Sequence, residues 1–210
     1  MEVGAADVKD FPRVADFLVD FFYLDGGQLG GWDRRRISGA QAADMRKRYG
    51  GGGAFGLEGR VLCAEEEGEG SRDVGRLVGT IAVGEFVFLD GEIALGAGPE
   101  AEGAELRVVI ANLAVDRERR RQGVGKKLVA EAEAAAKEWS YDYVWLLVEK
   151  NNTRAQRLYR KLGYREQGLD EGRRTLKVIQ GRMQELPVDS LYMRKSLKPL
   201  IGSLENFLGL

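Results

Sequence analysis

Asn112–Leu128 reads NLAVDRERRRQGVGKKL, and it decides the fold. A strongly apolar, β-branched run, Glu105–Val115, predicts a central strand that ends at this point. A basic turn follows, and Gly123 and Gly125 open a helix over Gly123–Trp139. Val124, Leu128, Ala132, Ala135 and Trp139 line one face of that helix, opposite its charges. A strand–turn–helix of this kind leaves backbone N–H groups unpaired at the helix N-terminus, where they favour anions. Gly123 and Gly125 let the backbone approach a phosphate, because no Cβ intervenes, and Arg120, Arg121 and Lys126 add charge. The P-loop pattern is excluded by spacing and by the missing Ser/Thr. The dinucleotide fingerprint is excluded because Leu128 stands where its third glycine belongs.

Outward from this segment, Tyr143–Val148 predicts the next strand and Thr153–Leu162 a helix that Gly163 terminates. Upstream, Ala54–Ala64 and Arg76–Leu89 read as a strand pair around the acidic connection Glu65–Asp73. Asp7–Tyr23 and Asp33–Tyr49 read as helices around a Gly-rich loop, Asp25–Gly31, and Val3–Ala6 as the end of a short strand. Asp90–Gly103 reads as a loop. Gln167–Pro187 gives no firm pattern, with Thr175–Ile179 open between strand and helix. Ser190–Lys195 predicts a closing strand, and Lys198–Leu210 an amphipathic tail. Strands alternating with helices after residue 104 argue for an α/β (α+β) sheet domain over 1–197, with a tail over 198–210.

Composition narrows the chemistry. The chain has 210 residues, 44% of them apolar and 31% charged, ordinary values for a globular domain. Its 32 basic and 33 acidic residues nearly cancel, so any anion must be bound by local placement. The absence of histidine removes His-based zinc sites, Ser-His-Asp triads and Cys-His dyads. Cys63 is the only cysteine, which precludes an intrachain disulfide and fits a reducing compartment. No apolar run reaches the roughly 18–20 residues of a membrane span. The acidic Glu2, Asp7 and Asp10 do not read as a targeting segment, so either the protein stays where it is made or such a segment lies outside this sequence.

Two motifs carry a resemblance to a known family. Arg120-Arg-Gln-Gly123-Val-Gly125 matches R/Q-x-x-G-x-G/A, the acyl-CoA motif of the GCN5-related N-acetyltransferases, and NLAV is similar to that family's fourth strand. Downstream, the run from Asn152 to Tyr164 (NTRAQRLYRKLGY) resembles its N-x-x-A-x-x-L-Y-x-x-x-G-F/Y element. The resemblance implies a mixed sheet of about six to seven strands flanked by helices, splayed between the fourth strand, Glu105–Val115, and the fifth, Tyr143–Val148. It implies acetyl-CoA as cosubstrate, with no metal. Leu113, Ala114 and Val115 would meet the pantetheine and acetyl group, and Arg120, Arg121, Gln122, Gly123, Val124, Gly125 and Lys126 the pyrophosphate. A backbone N–H near Leu113 would stabilise the developing oxyanion.

Tyr159 matches the family tyrosine that protonates the departing thiolate, and Asn152 the asparagine that orients the cofactor. Read as residues alone, Tyr159 is a core aromatic on the Leu158/Leu162 helix and Asn152 an N-cap. Many members carry a glutamate inside the fourth strand, where this chain has Val108-Val-Ile-Ala-Asn112. Glu149, at the end of the fifth strand, is the carboxylate favoured as general base. A water chain to backbone is the alternative, and Glu105 and Glu85 read as surface carboxylates.

The arginine-rich motif, the Gly-rich loop before the fourth strand and the long segment before LYMRKSL resemble plastid members of plants and algae. That implies a protein α-amine or lysine acceptor in the plastid stroma. Arylalkylamines of the serotonin type are a second acceptor class, and a bacterial relative acting on protein N-termini in the cytoplasm is another. A module that binds acyl-CoA without turnover is a further reading. Nucleic acid is disfavoured, because no aromatics interleave the Arg117–Lys127 cluster, whose Arg117 and Arg119 read as solvent-facing.

Overall fold

The computed structural model describes residues 1–23, 30–51, 54–66, 75–94, 96–179 and 182–198. Asp25–Gly31, the Glu65–Asp73 connection and the tail expected from the sequence lie largely outside them. In chain order the elements are β1 (Glu2–Ala5), α1 (Phe11–Tyr23), α2 (Gly31–Tyr49), β2 (Gly59–Glu66), β3 (Arg76–Leu89) and β4 (Glu92–Ile93). There follow β5 (Glu105–Val115), α3 (Val124–Glu138), β6 (Tyr143–Glu149), α4 (Thr153–Lys161), β7 (Arg165–Ile179) and β8 (Arg182–Ser196).

Eight strands form one mixed sheet in the order β1-β2-β3-β5-β6-β8-β7, with β4 paired on β3. Only β5 and β6 run parallel among these neighbours, and α3 is the crossover between them. Alternation along β5 sends Val108 and Ile110 to a core under α3 and α4, shared with Leu128, Val144, Leu146 and Tyr164. The opposite face carries two separate clusters. One packs under α1 and α2 around Phe11, Leu18, Met45 and Ala114. The other joins Phe88, Val109 and Tyr192, with Trp145 and Leu147 against them.

Several segments differ from the sequence reading, each for a local reason. The Asp7–Tyr23 helix opens as a single 3-10 turn and becomes α-helical at Phe11. Ala54–Gly56 is a 3-10 turn with Phe55 at positive φ, so β2 starts only at Gly59. The Asp90–Gly103 loop contains β4, where Ile93 returns to β3 and caps the aromatic cluster. The largest difference is Gln167–Pro187, which is mostly strand: β7 and β8 form a hairpin of two 15-residue strands. Register shifts between Glu166 and Gly168 and between Asp170 and Arg173 break its alternation. As an edge strand, β7 also exposes Leu169 and Leu176, so no apolar face marks it in sequence.

Candidate active site

The site begins where β5 leaves β6. The parallel pairing comprises Val108–Val144, Val109–Trp145 and Ile110–Leu146, and then stops. Beyond Ile110 the β6-facing edge of β5 has no sheet partner among the described residues, while the other edge stays on β3 through Ala111, Ala114 and Val115. The cause is a bulge. Between its pairings to Ala82 and Thr80, β5 carries one extra residue, and Asn112 there adopts φ 55°. Asparagine tolerates this left-handed conformation better than most residues, and bulges bend strands. The expected opening between the two strands is therefore present, with free backbone groups along one wall.

The bulge also sorts the three residues expected along the pantetheine. Leu113 and Val115 pack with the α3/α4 core, while the side chain of Ala114 is fully buried against the α1/α2 side. Of Ala114, only backbone can reach the opening.

Past Val115 the chain makes a 3-10 turn capped by Asp116, whose carboxylate accepts from the Glu118 N–H at 2.8 Å. Arg121 at φ 65° and Gly123 at φ 87° then reverse it into α3. A side chain on Gly123 would meet no atom within 4 Å, so φ, not crowding, demands glycine there, and its outer side is open. At Gly125 a Cβ would rest in ordinary contact with Val115 and Leu158, 3.6 and 3.7 Å away. The backbone N–H groups of Val124, Gly125 and Lys126 occupy the first turn of α3, where no helical carbonyl can accept from them. Val124 itself is a core anchor, packed near Gly79 of β3. A Cβ on Gly79 would sit 3.0–3.1 Å from Leu128, Val124 and the Ala114 carbonyl, so that glycine lets the helix start lie close on the sheet.

The basic residues divide into structural and exposed sets. Arg119 is ion-paired with Glu66 at the end of β2, which corrects its reading as a solvent-facing residue; Arg117 is exposed. Arg120 donates through Nε to the Val115 carbonyl at 3.2 Å and stacks on Phe21 at 5.2 Å. Gln122 donates to the Glu118 carbonyl at 3.0 Å, holding the turn closed. Arg121 and Lys126 are exposed. The turn thus combines backbone donors with exposed cations, an arrangement that suits a pyrophosphate.

Tyr159 faces this region from α4, packed in the core with Leu113 and Val115 and only 7% exposed. Burial alone raises its phenol above the ordinary tyrosine range. Its hydroxyl has no hydrogen bond among the described residues, and Trp139 Nε1 is the one enclosed, unpartnered polar atom there. Asn152 is the N-cap of α4, its Oδ1 accepting from the Ala155 N–H at 3.0 Å. Glu149 ends β6, with its carboxylate held by Lys177 from the β7–β8 hairpin. Glu85 accepts from the Tyr141 hydroxyl and the Glu58 N–H, and Glu105 pairs with Arg107.

Sequence reasoning missed Gln156. It is 5% exposed and donates to the carbonyls of Glu149 and Lys150 at 3.1 and 2.9 Å, tying α4 to the end of β6 beside the opening. Its signal was a polar residue three positions before Tyr159, on the same buried helical face.

Comparison with known proteins agrees with this geometry. The Acetyltransferase (GNAT) family matches residues 35–164, more than half the chain. This chain belongs to that family. Among curated relatives, GCN5-related N-acetyltransferase 7, chloroplastic, of Arabidopsis thaliana is 33% identical over 92 residues, covering 43% of this chain and 33% of the relative. GCN5-related N-acetyltransferase 6, chloroplastic, of the same plant is 32% identical over 114 residues, covering 50% of this chain and 40% of the relative. The chain thus aligns with well under half the length of these relatives. Among solved structures, Naa20 of Chaetomium thermophilum in complex with a bisubstrate analogue superposes with TM-score 0.59 at 18% identity, covering 93% of this chain and 86% of that one. The ribosomal-protein-S18-alanine N-acetyltransferase of Escherichia coli gives 0.55 at 14% identity, with 97% of each chain covered. At such identities the structures speak for the fold.

Proposed function

We propose that this chain is an acetyl-CoA-dependent N-acetyltransferase acting on protein amines, an N-terminal α-amine or a lysine ε-amine. The observation that carries the reading is the conjunction at the end of β5: an unpaired strand edge leads into a left-handed Gly123 turn whose N–H groups open on solvent. Arg120–Lys126 would hold the pyrophosphate, and the backbone of Leu113, Ala114 and Val115 would line the pantetheine. Asn152 would fix the α4 start against the same arm while capping the helix.

The bound donor supplies an electrophilic thioester carbonyl and a thiol leaving group. The chain's own part is to hold, orient and move protons. Tyr159 keeps its proton through neutral pH because burial disfavours the phenolate, and its unpartnered hydroxyl is free to donate to sulfur. A backbone N–H near Leu113 stabilises charge on the carbonyl oxygen. On the acceptor side, a lysine amine, with a pKa of about 10.4, needs more help to lose its proton than an α-amine at about 7.7–8.0. Glu149 is the carboxylate we assign there, released from Lys177 when acceptor enters.

The relatives' chloroplastic names support a plastid setting, and the Naa20 and ribosomal-protein structures, alike in fold, make a protein amine the acceptor to test first. Among the described residues no helix is long and apolar enough to cross a membrane. The test is CoA release from acetyl-CoA with a peptide library bearing free α-amines and lysines, and with serotonin alongside, products being read by mass spectrometry. Acetylated peptides support the assignment, acetylated serotonin alone moves it to small amines, and binding without release reduces the chain to an acyl-CoA-binding module. Thiol detection suits this protein: Cys63 is 5% exposed, and burial pushes its thiol up to about 11.

A further inference from the structure

Tyr164 is fully buried and is among the largest side chains in the core. Its hydroxyl donates to Glu133 Oε1 of α3 at 3.1 Å, and Glu133 Oε2 is ion-paired with Lys195 of β8 at 2.6 Å. The Glu133 side chain is only 13% exposed, and the Lys195 ammonium also lies 5.8 Å from the centre of the Tyr164 ring. Taking a carboxylate and an ammonium partly out of water carries a desolvation cost, and an apolar filling of the same space is often as stable. A phenylalanine at 164 with an aliphatic residue at 133 would fill the core without that cost. Stability alone therefore does not account for the triad.

What the triad fixes is the place of one ring. Tyr164 meets Tyr159 edge to face, with ring centres 5.6 Å apart and planes at 63°. Its N–H also donates to the Tyr159 carbonyl at 3.0 Å, made possible by Gly163 at φ 95°. The Tyr159 hydroxyl has no hydrogen bond among the described residues, so packing sets its direction. From these contacts we infer that Tyr164, anchored by Glu133 and Lys195, is a positioning residue that aims the Tyr159 hydroxyl at the opening between β5 and β6. The inference rests on the reading of Tyr159 as the proton donor.

The test is a double-mutant cycle on CoA release, run with acetyl-CoA and the fastest acceptor of the peptide library. Tyr164→Phe keeps the ring and removes its anchor. It lowers kcat roughly tenfold through misplacement of the acid, with the KM for acetyl-CoA unchanged within about twofold. Glu133→Leu, which removes the acceptor of that hydrogen bond, reproduces the loss. In a Tyr159→Phe background neither change costs anything further, because the group they position is gone. A wild-type kcat in both Tyr164→Phe and Glu133→Leu, or losses that multiply with that of Tyr159→Phe, overturns the positioning role. Full turnover in Tyr159→Phe alone instead overturns the proton-donor reading, and this inference with it.

Discussion

The two ends of the β5–β6 seam are built from different materials. On the proposed donor side, the chain from Asn112 to Lys126 offers its backbone: a bulge, a left-handed glycine and the first turn of a helix. On the proposed acceptor side, the surface is made of side chains, the Glu149–Lys177 pair between β6 and β7 among them. Backbone geometry needs particular residue types at fixed spacings, so the donor end is stereotyped. Side chains on an edge hairpin can change without disturbing the sheet, so the acceptor end is free to vary. Family membership therefore speaks for the donor before it speaks for the acceptor.

The sharpest way to break this contrast is through stability. Leu128 is fully buried where α3 meets Gly79, whereas Leu176 of the hairpin is 48% exposed. Leu128→Ala is expected to cost about 2–5 kcal/mol in urea unfolding, from lost burial and a residual cavity. Leu176→Ala should stay within about 0.5 kcal/mol. Equal losses would mean that the hairpin is as integral to the core as α3, and the contrast would fail.

Chemistry comes next in size. Tyr159→Phe is expected to lower kcat on the order of a hundredfold, the low end for a positioned general acid, while the acetyl-CoA dissociation constant is unchanged. A loss shared between kcat and affinity would place the ring in donor binding instead. Gly123→Val tests the opposite split. A β-branched residue at φ 87° costs about 1–2 kcal/mol and covers the N–H groups of the turn, so acetyl-CoA should bind at least roughly tenfold more weakly by calorimetry. The Leu176→Ala protein should bind it as the wild type does.

The same division explains what could be read from residues alone. The bounds of β3 and β5 agree with the structure because long β-branched runs buried on both faces leave no ambiguity, and the Asn152 cap and Gly163 stop follow local rules. The opening beside β5 was implied by a motif but rests on Asn112, whose positive φ depends on the register with β3. The hairpin was illegible from Gln167 to Pro187, since two bulges and an exposed edge erase the period on which strand reading depends. The partner of Glu149 lies 28 residues away across that hairpin, and the role of Tyr164 depends on Glu133 from a different helix. Such long-range side-chain pairings leave no trace in local spacing.

The smallest expected effect concerns the brace behind the donor turn. Glu66, at the end of β2, binds Arg119 through Nε and Nη2, and this bond holds its carboxyl below the usual glutamate value of 4.5. A depressed carboxylate stabilises the folded chain at pH values above its unfolded pKa, and that contribution is lost as pH falls through the lower folded value. The pair is partly exposed, so solvent screens it and its share of stability is small. Glu66→Gln mimics the protonated state at every pH. The wild type should therefore melt slightly above this variant at pH 7, and the two curves should converge as pH falls through the lowered value at which the folded chain's Glu66 takes up its proton. The donor turn should respond in the same sense, with slightly weaker acetyl-CoA binding in the variant at pH 7, because Arg119 no longer ties the turn to the sheet. A gap in melting temperature that persists undiminished at pH 3 would show that the brace acts through shape and not through charge.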